Sequence, residues 1–420
     1  MTSNSNCNIA KVRNKHISHD VSFSILSKLP IKSLSRFQCV QKSWSLSNLF
    51  NDSHFMAMFN SNFLFEGHDS SLLLQAYLPH SYDNTYFAEL YSLSGKRFEN
   101  MTKLEWPNIF YEEIDRNEYN QYDTIDIEFF GFASINGLLC VLKSYTFKRG
   151  LSVVLWNPAT EEFKIIPSSS VESCLHQSPS TAYSLPEFYV HGFGYDNVTD
   201  DYKVIRYASF LRYPNSYNVP LGPTQISLWE IYSLRGNSWR TLDFDMPISC
   251  QNAYLYLDGF CHWLCYYSNI APYELFEVCL GSFKLSTETF FTTRIPYLDH
   301  NDYFVSRRHL SVLYGTIALM TYHEFTTTFH ISILCELGVK ESWTKLFSVG
   351  VGPSPCVQLS IGLGKKAEIF FIRKPDGKLI WLDLNNRTIE EVDDRKRWRF
   401  KFVYYQENLL PIQGLDSANV

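Results

Sequence analysis

Six segments of the chain repeat one layout: "YSLSGKRF" (91–98), "LWNPATEEFKIIP" (155–167), "IYSLRGNSWRTL" (231–242), "SFKLSTETFFTTRIP" (282–296), "ILCELGVKESWTKL" (333–346) and "LIWLDLNNRTIEEV" (379–392). Each is a β-prone run, a short polar turn and a second β-prone run that often opens with Trp or Phe. Hairpin turns need residues that tolerate left-handed backbone, and Gly95, Gly236, Gly338 and the Asn385–Asn386 pair are such residues. Turn centres near residues 236, 287, 338 and 386 lie about fifty apart, the repeat length of one propeller blade. Helical periodicity is not sustained anywhere in this region. The spacing therefore predicts a β-propeller of about six blades, with insertions near 103–128 and 208–224. Aromatic content of 16%, with 27 Tyr and 32 Phe, agrees, because flat rings fit pleated surfaces. A further hairpin, "GFGYDNVTDDYKVIRY" (192–207), has Tyr195 and Tyr202 flanking an acidic turn.

The start of the chain reads differently. In "LSKLPIKSLSRFQCVQKSW" and the residues before it, Val21, Ile25 and Leu29 are four apart and line one helical face. Pro30 stops that helix. Leu34 and Phe37, then Val40 and Trp44, give a second and a third short stripe. Three stubby helices cannot bury much surface alone, so something else must cover them. At 420 residues, one large domain plus one small one fits. The expected division is a disordered arm over 1–15, the helical module over 16–60, the β domain over 61–412 and a tail over 413–420.

Several chemistries are argued against. A net charge of −6 gives no general push toward nucleic acid or anionic membrane. No apolar run approaches the roughly 18–20 residues of a spanning helix. The N-terminus has no apolar central block, so no signal peptide is expected. The ten cysteines then read as reduced thiols in the cytoplasm or nucleus, and the sequons at Asn51, Asn100, Asn197 and Asn386 as unused. No Cys-x-x-Cys, phosphate-cradling loop or His-Glu-x-x-His occurs. Cys261, His262 and Cys265 read as buried strand residues rather than a metal site. Asp196, Asp200 and Asp201 lack an EF-hand's glycine and distal glutamate, and read as a solvated turn. "HGFGYD" opens a hairpin and not a helix, which argues against a dinucleotide site. "DRKRWRFKF" (394–402) alternates basic and aromatic residues, the pattern of the last blade's outer strand with one wet face, and "FVYYQENLL" (402–410) completes closure. No cofactor is expected.

Residues 17–55 resemble the F-box, the module by which substrate receptors join SCF ubiquitin ligases. The matching letters are Asp20, Ile25, Leu26, Leu29, Pro30, Lys32, Ser33, Leu34, Arg36, Phe37, Cys39, Val40, Lys42, Ser43, Trp44, Asp52 and Phe55. "LWNPATEEFKIIP", "GFGYDNVTDDYKVIRY", "GLLCV", "YLDGFCHWLCY" and "KLIWLDLNNRTIEEV" resemble, in order, pieces of the plant F-box-associated, kelch-like propeller domain. The chain departs from the usual Leu-Pro start at Ile17 and Ser18, and Gln41 replaces a second cysteine. Ser18 is placed to act as an N-cap instead. The resemblance implies a non-catalytic receptor whose F-box binds a Skp-type adaptor, and through it cullin and a RING subunit, while the propeller holds a target protein. Expected adaptor contacts are Ile17, Asp20, Ile25, Leu29, Pro30, Leu34, Val40 and Trp44; periodicity alone cannot divide such positions between internal core and interface. A scaffold outside SCF complexes and a kelch-like propeller oxidase stand as the alternatives.

Overall fold

The structure, a computed structural model, describes residues 18–29, 31–37, 39–52, 54–55, 58–59, 71–79, 86–94, 100–110, 125–145, 151–172, 186–212, 224–267, 277–295, 305–323, 326–350, 357–363, 368–373, 378–386, 388–393, 399–409 and 412. Ile17, Pro30, Gly95, the arm and the tail lie outside them. The chain divides into two units, Met1–Glu66 and Gly67–Val420.

The first unit holds α1 (His19–Leu26), α2 (Ile31–Phe37) and α3 (Leu46–Asn51), and local chemistry starts the first and the third. Ser18 caps α1, its hydroxyl accepting from the Val21 amide at 3.4 Å, the role expected for it where the usual proline is missing. Ser45 caps α3 in the same way through the Asn48 amide at 3.3 Å. The expected third stripe is corrected here. Val40 sits in a turn and Trp44 in a 3₁₀ turn spanning Lys42–Trp44, and the third helix starts only at Leu46. The unit has its own core of Phe23, Leu26, Leu34, Leu46, Leu49, Phe50, Phe55 and Phe59. Within it the Phe23 and Phe55 rings meet edge to face at 5.2 Å, and Phe55 stacks on Phe59 at 5.8 Å.

The second unit is built of strands. They run β1 (Ser71–Pro79), β2 (Tyr86–Ser94), β3 (Asn100–Leu104), β4 (Ile125–Ile135), β5 (Leu138–Tyr145), β6 (Leu151–Trp156), β7 (Phe163–Ile165), β8 (Glu187–Asp196), β9 (Asp201–Arg212), β10 (Thr224–Ser233), β11 (Ser238–Leu242) and β12 (Ser249–Leu257). They continue as β13 (Phe260–Tyr267), β14 (Glu277–Lys284), β15 (Thr289–Arg294), β16 (Val305–Leu313), β17 (Thr316–His323), β18 (Thr328–Leu334), β19 (Trp343–Gly350), β20 (Val357–Leu363), β21 (Glu368–Arg373), β22 (Lys378–Asp383), β23 (Thr388–Asp393) and β24 (Arg399–Tyr405).

Four sheets each hold four consecutive antiparallel strands, β8–β11, β12–β15, β16–β19 and β20–β23. An eight-stranded sheet has the order β3-β2-β1-β24-β4-β5-β6-β7. Backbone pairing joins its two halves where β24 runs parallel to β4 through Tyr404↔Ala133, and the buried Gln75 side chain of β1 bonds to the Ile127 carbonyl and the Phe129 amide of β4. Each of the six repeated hairpins is the third-and-fourth strand pair of such a four-strand run: β2–β3, β6–β7, β10–β11, β14–β15, β18–β19 and β22–β23.

Two expectations are corrected in these strands. Residues 399–405 are not an outer strand of the last run but β24, which pairs antiparallel with β1 and so ties the end of the chain to the start of the β unit. In the 234–237 turn the left-handed position is Asn237, with φ 44°, rather than Gly236. Asparagine tolerates that region through its short polar side chain, so the turn forms one residue later than the glycine suggests.

Two recurring devices join neighbouring sheets. The Trp that opens a fourth strand donates its indole N–H to a carbonyl at the end of the preceding run: Trp239 to Pro167 at 2.7 Å, and Trp343 to Arg294 at 3.1 Å. Close approach is the second. A side chain at Gly194 would strike Leu285 and Tyr256 of the next sheet, and one at Gly192 would strike Cys261. The Gly-x-Gly of "HGFGYD" is therefore a packing motif between sheets.

Candidate interaction surfaces

The helical unit is apolar outside as well as inside. On α1, Phe23 and Leu26 are buried, whereas Val21 and Ile25 are 50% and 54% exposed. Phe37, at the end of α2, is 40% exposed and Val40 67% exposed; Leu29 and Trp44 are half-buried. Asp20 is exposed in the first turn of α1, where a carboxylate is favoured by the helix dipole. Leu34, one of the expected adaptor contacts, is completely buried in the unit's own core. Its neighbour three positions on, Phe37, faces out instead, and with Val21 is a surface residue that the expected contacts omitted. The signal was present for Val21, which completes the Val21–Ile25–Leu29 stripe.

Carboxylates and histidines of the β unit are taken up by structure. Asp196 and Asp201 are buried, against the expectation of a solvated turn; only Asp200 of the three is exposed. Asp196 receives Lys203 Nζ at 2.8 Å, the Thr199 hydroxyl at 2.7 Å and the Val198 amide at 3.0 Å. Burial pushes its carboxyl up, but these donors outweigh burial and hold it below the usual range. Asp201 receives the Ser233 hydroxyl and the Arg235 amide. The acidic letters anchor a hairpin.

Arg206 is 2% exposed and lies between the Phe188 and Trp239 rings at 4.2 and 4.0 Å. Its guanidinium donates to Glu230 and Glu172, two carboxylates that are also buried. Sequence gave no hint of this grouping, because its members are 24 and 34 residues apart.

His191 is held neutral. The Ser249 amide donates to its Nε2 at 2.9 Å, so its proton sits on Nδ1, which donates to the Tyr189 carbonyl at 2.9 Å. Burial lowers its pKa to about 4. Burial likewise lowers His262, which pairs with the Ser282 hydroxyl, to about 3. Cys261 and Cys265 pack in one cluster while His262 takes the other face of β13, so strand alternation separates the three as ligands. Among the described residues no group of three His, Cys, Asp or Glu side chains is placed to hold a metal ion, and no helix is long and apolar enough to cross a membrane.

The two ends of the sheets differ. At one end, first and second strands are joined by two-residue turns at Asn136–Gly137, Asp258–Gly259 and Tyr314–Gly315, all with positive φ. At the other end, the second-to-third connections are longer, with residues 213–223 between β9 and β10 and 268–276 between β13 and β14.

Residues 90–410 match the F-box associated beta propeller domain, and the chain belongs to that family of plant F-box proteins. The chain is 24% identical over 398 residues to the Arabidopsis thaliana F-box protein At3g16210, covering 94% of this chain and 90% of that one. It is 24% identical over 388 residues to the Arabidopsis F-box protein CPR1, covering 88% and 82%. Among solved structures, the β-propeller domain of the trilobed protease of Pyrococcus furiosus superposes over 77% of this chain and 80% of its own, at 9% identity and a TM-score of 0.36.

Proposed function

We propose that this protein is the non-catalytic substrate-recognition subunit of an SCF-type cullin-RING ubiquitin ligase. In this reading residues 16–60 are the F-box and bind a Skp-type adaptor, through which cullin and the RING subunit are recruited. Residues 61–412 are a six-bladed propeller that holds a target protein, with the eight-stranded sheet counted as two blades and β24 as the strand that closes the first. The arm (1–15) and tail (413–420) flank them, and the complex works in the cytoplasm or nucleus.

The single observation that carries the reading is the outer apolar face of the helical unit, which already has a complete core of its own. Val21, Ile25, Phe37 and Val40, with half-buried Leu29 and Trp44, are left for a partner. Asp20, Ile17 and Pro30 remain proposed adaptor contacts, and Leu34 is assigned to the core. Burying side chains of this kind favours a complex, by up to about 1.5–3 kcal/mol for each one fully covered. Holding a target beside a charged conjugating enzyme then makes a slow bimolecular transfer effectively intramolecular. The end of the propeller with the longer connections is the better place for target specificity, since loops vary while the scaffold stays rigid.

The test is purification of the full chain from plant cells, with and without proteasome inhibition. Adaptor and cullin are expected in stoichiometric amount, with a ubiquitinated target that accumulates under inhibition. A target captured without adaptor or cullin would instead make the protein a scaffold outside SCF complexes.

A further inference from the structure

The "LWNPATEEFKIIP" segment carries side chains that reach beyond their own hairpin, although within it Asn157 Oδ1 accepts from the Ala159 amide at 3.1 Å and Glu162 Oε2 from the Thr160 hydroxyl at 3.1 Å. The hairpin is closed by the backbone bond from Asn157 N–H to Glu162 C=O at 2.9 Å, with Glu161 in the left-handed position. The side chains of Asn157 and Glu162 both turn to the end of the chain, about 250 residues away. Asn157 Nδ2 donates to the Asn408 carbonyl at 2.8 Å, and its Oδ1 accepts from the Tyr405 hydroxyl at 3.2 Å. That hydroxyl accepts in turn from the Ala159 amide at 3.0 Å. Glu162 Oε2 accepts the Ile412 amide at 2.9 Å.

The neighbouring turn joins in. Asn408 Nδ2 donates to the Asn136 carbonyl at 2.9 Å, and the Gln406 amide to the Ser134 hydroxyl at 3.0 Å. Gly137, at φ +82°, has no Cβ, and one built there would collide with Asn408. Ile412 is 6% exposed and packs in the cluster of Ile135, Leu138, Ile166 and Leu234. Asn157 itself is 2% exposed.

We propose that the Asn157–Glu162 and Asn136–Gly137 turns form an intramolecular receptor for the segment beyond β24, and that this clasp locks the closure of the β unit. β24 is the last strand and pairs along its length only with β1; its link to β4 is one backbone pair, with the Lys401–Glu128 ion pair at 2.6 Å beside it. A terminal strand held on one side frays, because its end residues gain most entropy on release. The clasp ties that end across to the β4–β7 run, supplying on the far side what strand pairing does not.

The test compares thermal unfolding of the full chain with chains stopped after Tyr405 and after Ile412. Stopping after Tyr405 keeps every strand and the Tyr405 hydroxyl's bonds but loses the contacts of Gln406, Asn408 and Ile412, and is expected to lower the midpoint by roughly 5–10 °C, or to prevent folding. Stopping after Ile412 is expected to leave it unchanged. Asn157→Ala and Glu162→Ala are expected to lower the midpoint by more in the full chain than in the chain stopped after Tyr405, where Asn157 keeps only its bonds to Tyr405 and Ala159 and Glu162 only its bond to Thr160. Equal effects in both backgrounds would mean that these residues serve their own hairpin, and would overturn the proposal. So would an unchanged midpoint after Tyr405. Hydrogen exchange on the unaltered full chain is an independent check: amides of Gln406 and Ile412 are expected to be protected, and exchange at free-peptide rates would equally overturn it.

Discussion

The helical unit exposes four large apolar side chains among its described residues between 18 and 59, whereas the far larger β unit exposes nine, scattered between Ile165 and Leu409. Both units are rich in apolar letters at regular spacing, so the contrast lies in what covers them. In the β unit each sheet packs between two neighbours, and both faces of a strand such as β17, buried at all eight positions, are covered from within the chain. The helical unit has a covered face and an uncovered one. Phe23 and Leu26 point inward on the same helix that points Val21 and Ile25 outward. A stripe of apolar residues thus means core where the fold brings a second layer, and interface where it does not.

The contrast can be broken hardest inside the β unit. Arg206→Met removes the cation between Glu172 and Glu230 and leaves two buried carboxylates facing each other. A loss of about 3–5 kcal/mol is expected, read as a lower urea midpoint. A loss below 1 kcal/mol would mean that the cluster is hydrated.

Acid should act on the same unit nearly as strongly. His191 and His262 titrate near 6.5 when unfolded and near about 4 and about 3 when folded, with burial as the first cause. Their folded pKa is depressed, so the unfolded state takes up protons first as pH falls. Stability is therefore full above about pH 6.5 and declines toward pH 4, by a few kcal/mol in all. His191→Gln is expected to flatten that decline; an unchanged slope in denaturant titrations would refute the assignment.

Trp343→Phe removes one indole donor and leaves the Arg294 carbonyl without it. About 1 kcal/mol should be lost. Smaller still, and opposite in sign, is Glu161→Gly. Glu161 is exposed and holds φ 60°, where glycine pays no steric penalty, so a gain of about 0.5–1 kcal/mol is expected in the thermal midpoint.

Sequence made the hairpins legible because turn chemistry is local: four polar residues between two β-prone runs suffice. It misplaced β24 because strand pairing across the whole chain leaves no local mark; Arg399–Tyr405 looks like any edge strand until β1 is seen beside it. Asp196 and Asp201 looked solvated because their donors, Lys203 and Ser233, show only in three dimensions. For the same reason Arg206 went unnoticed. In the helical unit the right positions were visible, but their division was not. Leu34 and Phe37 are three apart on one short helix, and the spacing alone does not say that Leu34 is buried and Phe37 exposed.

The claim that most needs testing is that the outer apolar face of the helical unit is a docking surface. Full-length protein carrying Ile25→Asp and Val40→Asp should be compared with the unaltered chain in calorimetric titration with a Skp-type adaptor, alongside thermal unfolding of both. Both positions are more than half exposed, so the melting profile should be unchanged, while the affinity should fall at least 100-fold, the equivalent of about 3 kcal/mol of lost apolar burial. Adaptor binding at full strength by the doubly substituted, folded chain would contradict the account.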